Sequence, residues 1–217
     1  MARTILVIGE SGSGKTTSIR NLDYKTTFVF DCDRKGLSFK SWKKFYNVEN
    51  KNYLATSNID SIWACLKRIN NQDLTHIKTV IIDTLNGIMI DDEFKRMNEK
   101  NYDKWQDLAA SIYGLVTNIN DLREDLTVVC MAHSQTERDD SGYAFTRMKT
   151  SGKKLDKICV ESKFTTVLLA KVENGSYLFE THANHSTAKT PMGLFEEKTI
   201  PNDIVTVIEK LKEYEEG

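Results

Sequence analysis

The chain has 217 residues, 28% charged and 40% hydrophobic, with 30 basic against 31 acidic side chains and a net charge of −1. That balance excludes a globally basic nucleic-acid coat and a strongly acidic solvated tail. The length suits one domain, expected over residues 1–217, with a sizeable core. No apolar run approaches the roughly 20 residues a membrane helix needs, so no membrane partner is expected. Met1-Ala2-Arg3-Thr4-Ile5 runs into a strand pattern without signal-peptide features, which predicts a cytoplasmic protein. Cys32, Cys65, Cys130 and Cys159 form no CxxC pair, and reduced thiols are expected.

In chain order, Thr4–Ile8 is a continuous apolar run suited to a buried parallel strand. A glycine-rich turn follows, then a predicted helix from about Lys15 to Leu22. Thr27–Asp31 reads as the second strand, and residues 32–53 as irregular. Ile59, Ile62, Trp63, Leu66 and Ile69 share one helical face, with Ser57 or Asn58 as N-cap. Thr79–Asp83 is the third buried strand. The helical stretch after it carries Trp105, Leu108, Ala109, Ile112, Val116, Ile119 and Leu122 at helical spacing. Leu126–Ala132 is the fourth strand. Residues 134–157, polar and punctuated by Gly142 and Gly152, read as a long loop or a mobile hairpin. Phe164–Val172 and Ser176–Thr181 flank Asn174-Gly175, a strong hairpin signal. Pro201-Asn202-Asp203 opens a last amphipathic helix. The alternation of β-prone and helical segments predicts an α/β layer fold.

Gly9-Glu10-Ser11-Gly12-Ser13-Gly14-Lys15-Thr16 matches G-x-x-x-x-G-K-[ST], with a strand before it and a helix expected after it. Such a loop turns its N–H groups inward around a phosphate. Lys15 supplies a cation for the β- and γ-phosphates, and the Thr16 hydroxyl suits Mg²⁺, which prefers hard oxygen ligands. A second metal-side carboxylate belongs at the end of a buried strand, where Asp83 stands. Thr84 either assists the metal or caps the next segment. His133, ending the fourth strand at the sheet's carboxyl edge, is a candidate γ-phosphate sensor or water-orienting group. Asp33, just beyond the second strand, is the candidate general base, unless Arg34 or Lys35 ties it up in a solvated ion pair.

Between Phe145 and Lys157 the basic residues Arg147, Lys149, Lys153, Lys154 and Lys157 face one acid, Asp156, with Tyr143 and Phe145 alongside. Phosphate contacts with aromatic stacking are what a single-strand site requires. A second basic run, Arg34, Lys35, Lys40, Lys43 and Lys44, interleaves with Phe39, Trp42 and Phe45.

The chain resembles phage RecA-like ATPases, in particular the Sak-type single-strand annealing proteins. The match lies in Gly9–Thr17, Val80–Asp83, Lys104-Trp105 with the helix leading into Val128–His133, Lys154-Leu155 through Phe164–Leu168, and Thr187–Gly193. The resemblance implies a RecA-like P-loop NTPase fold: a mostly parallel sheet flanked by helices, extended by a C-terminal β-hairpin. It implies ATP as nucleotide, Mg²⁺, hydrolysis, and action on single-stranded DNA in recombination or replication. Relatives carry a glutamate at the strand end where Asp33 stands, so slow hydrolysis is expected. They also bring a cation from a neighbouring subunit to the γ-phosphate. Lys189, in Ala188-Lys189-Thr190, takes that role here, which implies a homo-oligomeric ring or filament. A single-strand binding protein is a further expected partner. Two other classes fit the P-loop: a small-molecule or nucleotide kinase, and a nucleotide-gated loader without turnover.

Overall fold

The computed structural model describes residues 1–98, 103–151 and 159–217, with no side chain described at 103–106 or 108. Strand β1 (Arg3–Gly9) is followed by the phosphate loop and a single 3₁₀ turn, Thr16–Ile19. Next come β2 (Thr27–Asp31), the short helix α1 (Trp42–Phe45), β3 (Tyr53–Leu54) and α2 (Ile59–Asn71). Strand β4 (Thr79–Asp83) leads to α3 (Leu85–Lys95) and α4 (Asp103–Asn118). Strands β5 (Thr127–Arg138) and β6 (Ala144–Met148) form a hairpin, and β7 (Thr166–Glu173) and β8 (Ser176–Glu180) form another. Strand β9 (Thr199–Pro201) and helix α5 (Ile204–Glu216) close the chain.

The sheet runs β3-β2-β4-β5-β1-β7-β8-β9, with β6 paired to the outer half of β5. Strands β3, β2, β4, β5, β1 and β7 are parallel, whereas β8 and β9 add antiparallel at one side. This is the α/β P-loop architecture expected, C-terminal hairpin included. Successive side chains of a strand point to opposite faces, and β1 shows the consequence. Leu6 and Ile8 join one core with α2, α3 and α4, while Ile5 and Val7 join the other with Ile204, Val207, Ile208 and Leu211 of α5. Apolar on both faces, the central strands must be covered on both, and the helices supply that cover.

Local chemistry sets the boundaries. Asn58 caps α2, accepting from the Ser61 N–H at 2.8 Å, and Asp203 caps α5, accepting from Val205 N–H at 3.1 Å. In the β7–β8 turn Asn174 and Gly175 both take positive φ, 51° and 77°, the geometry that lets two twisted strands close through two residues.

Two local expectations are corrected. The helix predicted over Lys15–Leu22 is only the 3₁₀ turn. The Ser18 hydroxyl donates to the Lys15 carbonyl at 2.6 Å, and such local side-chain bonding competes with a regular helix. The polar stretch from residue 134, expected as a long loop or a mobile hairpin, is a hairpin in its described part. β5 continues six residues beyond Ala132 and pairs antiparallel with β6. The Thr136 and Thr146 hydroxyls meet at 2.9 Å, and the Asp139 carboxylate accepts from the Ser141 and Tyr143 N–H groups to form the turn. The stretch 32–53, expected to be irregular, holds α1 and a small aromatic cluster. Trp42 packs on Tyr53 with ring centroids 5.3 Å apart, and Phe45 on Tyr24 at 5.1 Å.

Candidate functional site

Strand register collects the candidate residues. Gly9 lies opposite His133, and Asp83 lies between Asp31 on one side and Met131 on the other, all at the carboxyl edge of the parallel strands. β5 separates β1 from β4, so Gly9 and Asp83 lie two strand spacings apart across the sheet, about 10 Å, and two residues out of register along it. The phosphate loop spans that gap. It leaves Gly9 and delivers Thr16, whose hydroxyl donates to Asp83 Oδ2 at 2.5 Å.

At the loop's start only glycine fits. A Cβ on Gly9 would lie 2.6 Å from the Ala170 carbonyl oxygen and 2.5 Å from Ser13 Oγ. Lys15 is buried, its ammonium donating to the carbonyls of Gly9 and Glu10, each at 2.8 Å. An ammonium has three donors, so a third is left for a phosphate. Burial lowers its pKa to about 8, against the opposing pull of Asp83. Around it Ser11, Gly12, Gly14, Thr16, Thr17, Lys35, Ser38, His133 and Tyr177 line an open cleft of about 420 Å³. Glu10 and Ser13 border a second cleft on the β7 side of the loop.

Asp83 is almost wholly buried, and burial raises its carboxyl above the usual range, opposed by the Thr16 hydrogen bond and the charge of Lys35. Among the described residues its Oδ1 is buried without a hydrogen-bond partner. An orphaned hard acceptor beside a threonine hydroxyl fits Mg²⁺, which would satisfy the oxygen and favour its ionised form. Thr84 is the N-cap of α3, its hydroxyl accepting from the Gly87 N–H at 3.2 Å and donating to Asp33 Oδ1 at 3.0 Å. Asp33 Oδ2 pairs with the Lys35 ammonium at 2.6 Å, so the ion pair weighed from sequence does form. His133 is partly buried; burial, then the Lys15 charge, lowers its pKa below the ordinary histidine value. It is therefore neutral at pH 7.

Three contributors carried no motif. Asp31, buried at the end of β2, accepts from Gly36 N–H and Tyr53 Oη, both at 2.7 Å, and so shapes the loop that carries Asp33 and Lys35. Asn86, in the first turn of α3, accepts from the His133 N–H at 2.7 Å and donates to the Lys149 carbonyl at 2.9 Å. Tyr177 of β8 walls the cleft. An Asp-Cys-Asp strand end and an asparagine inside a predicted first turn were the available signals.

The remaining candidates lie elsewhere. Lys189 is exposed, and its main chain exchanges two hydrogen bonds of 2.8 Å with Val167. Val167 pairs with Leu6, three residues short of Gly9, so Lys189 sits back from the loop of its own chain. Tyr143, Phe145, Arg147 and Lys149 belong to the β5–β6 hairpin and its exit. The Tyr143 ring packs on His185 at 4.9 Å, and Arg147 is paired with Glu137 at 2.7 Å. Lys153, Lys154 and Lys157 lie outside the described residues. Among the described residues no helix is long and apolar enough to cross a membrane.

Comparison with curated proteins finds no match. A family model described as an AAA domain matches residues 1–192. That span takes in the phosphate loop, β4 with Asp83 and the strand between them, and the chain belongs to the AAA domain family, of P-loop ATPase type.

Proposed function

We propose that the chain hydrolyses ATP at the Gly9–Thr17 loop and uses the nucleotide state to govern its hold on single-stranded DNA, in the recombination or annealing role of the Sak-type proteins it resembles. The observation that supports the hydrolase reading best is the contact of Thr16 with Asp83, beside a buried ammonium and an orphaned carboxylate oxygen. Catalysis of phosphoryl transfer is mostly positioning and charge neutralisation, and these groups supply both.

Loop amides and Lys15 grip the β- and γ-phosphates. Thr16 and Asp83 would hold magnesium, which would supply Lewis-acid neutralisation of phosphate charge. Water attacks the γ-phosphorus, its proton passes to Asp33, and the bridging oxygen departs with the bonding electrons on ADP. Neutral His133 orients that water. The short aspartate reaches less far than a glutamate, which argues for slow turnover. Lys189, exposed and set back from its own loop, suits a cation presented to a neighbouring copy's γ-phosphate, which calls for a ring or filament. The hairpin with Tyr143, Phe145, Arg147 and Lys149, extended by Lys153, Lys154 and Lys157, is the DNA surface in this reading, and a single-strand binding protein is a fitting partner.

Steady-state ATP hydrolysis with and without single-stranded DNA, with Lys15→Ala as control, tests this. Several-fold stimulation that vanishes in Lys15→Ala supports it. Turnover that depends on a phosphate acceptor, or none under any condition, overturns it.

A further inference from the structure

Lys35 stands in the cleft without a place in any motif. The loop that carries it is braced at its base by buried Asp31, which accepts from Gly36 N–H and Tyr53 Oη. Arg34 adopts a left-handed φ of 55°, and the chain doubles back so that Lys35 lines the same cleft as Lys15, Thr16 and His133. The ammonium rests on Asp33 Oδ2 at 2.6 Å, yet half of the lysine side chain is exposed, whereas that of Asp33 is only 19% exposed. One partner is free to swing on a four-carbon stem, and the other is held.

What holds Asp33 is Thr84, whose hydroxyl occupies Oδ1 independently of Lys35. The charge of Lys35 is felt by Lys15, Asp83 and His133, which places it within electrostatic reach of the whole nucleotide edge. Burial works against that charge, but the hydrogen bond to Asp33 and the surrounding carboxylates outweigh it, and the lysine pKa lies above its ordinary value. A fixed carboxylate, a mobile ammonium and an open phosphate cleft form a two-position device. A terminal phosphoryl group carries more charge than one carboxylate and competes for the ammonium.

Resting on the reading of this cleft as an ATP site, we propose that Lys35 senses the γ-phosphate within its own chain. With a diphosphate it stays on Asp33 and masks that carboxylate. With a triphosphate it moves to the γ-phosphoryl oxygens and leaves Asp33 uncovered to accept the proton of water. Lys35 therefore discriminates ATP from ADP and couples that discrimination to hydrolysis.

Calorimetric titration with a magnesium-loaded, non-hydrolysable ATP analogue and with MgADP tests this on the full chain. One charge-assisted hydrogen bond corresponds to a loss of about 10- to 100-fold. Lys35→Met is expected to weaken the analogue by about that factor and to leave MgADP within about twofold, the latter also showing that the variant is folded. Asp33→Asn, which releases the ammonium, is expected to tighten the analogue in the wild-type background and not in Lys35→Met. Equal loss for both nucleotides, no loss for either, or equal tightening in both backgrounds overturns the proposal. If the wild type itself takes up neither nucleotide, the ATP reading of the cleft fails, and this inference with it.

Discussion

At the scale of single residues, Lys15 makes a prediction whose sign follows from its environment. Its ammonium loses a proton at about pH 8 in the free protein, because burial disfavours charge. A bound triphosphate stabilises the protonated form, so binding draws a proton back above that pH. Nucleotide affinity is expected to be flat below pH 8 and to fall by about tenfold per unit above it. Calorimetry at pH 7 and pH 9, in two buffers of different ionisation heat, would show both the weakening and the proton uptake; an unchanged affinity would contradict the burial argument. The effect on folding has the same origin. The cost of burying that charge is fully present below about pH 8 and is relieved as the pH rises towards the unfolded value of 10.5. For the metal side, Thr16→Ala and Asp83→Asn are expected to remove the magnesium-dependent share of ATP affinity while leaving metal-free binding near wild type, as titrations with EDTA and with magnesium would show.

At the scale of elements, the site depends on how strand ends are clamped. Asn86 ties the first turn of α3 to the main chain at His133 and at Lys149. Asn86→Ala removes both hydrogen bonds and is expected to cost about 1–3 kcal/mol in urea denaturation. Turnover should fall because His133 is displaced, while ATP affinity, set by the loop, stays close to wild type. Gly9 supplies a sharper test of the β1–β7 junction. Any side chain there collides with the Ala170 carbonyl, so Gly9→Ala should lower the unfolding midpoint and abolish nucleotide binding together. Elements were legible where a local rule acts alone. The apolar runs of β1 and β4, the Asn-Gly turn between β7 and β8, and the Asn58 and Asp203 caps are of that kind. The outer half of β5 was legible only as one of two alternatives, loop or hairpin, because Ser134–Arg138 is polar and becomes a strand through its pairing with β6. The 3₁₀ turn at Thr16–Ile19 was missed because a hydroxyl competes with the helical pattern.

At the scale of the whole molecule, the proposed DNA surface and shared active site predict measurable cooperation between copies. Lys149→Ala is expected to weaken single-strand binding similarly for all sequences and to flatten its salt dependence, as phosphate contacts do. Lys189→Ala is expected to lower DNA-stimulated turnover several-fold. Mixing it with Lys15→Ala should recover activity at mixed junctions, where a Lys15→Ala copy lends its Lys189 to the intact loop of a Lys189→Ala neighbour. A mixture no more active than its components would show that each chain works alone.

The amino-acid order by itself determined the phosphate loop, the buried strands and the C-terminal hairpin. Each is written in contiguous residues whose backbone preferences and apolar pattern act over a few positions. Only the tertiary structure decided which strand ends meet. Placing β5 between β1 and β4 puts Thr16 on Asp83, and the loop after β2 folds Lys35 over the same cleft. Those neighbours lie many residues apart, and sheet order follows from burying both faces of the strands under helices, a property of the packed whole that no short stretch of chain contains.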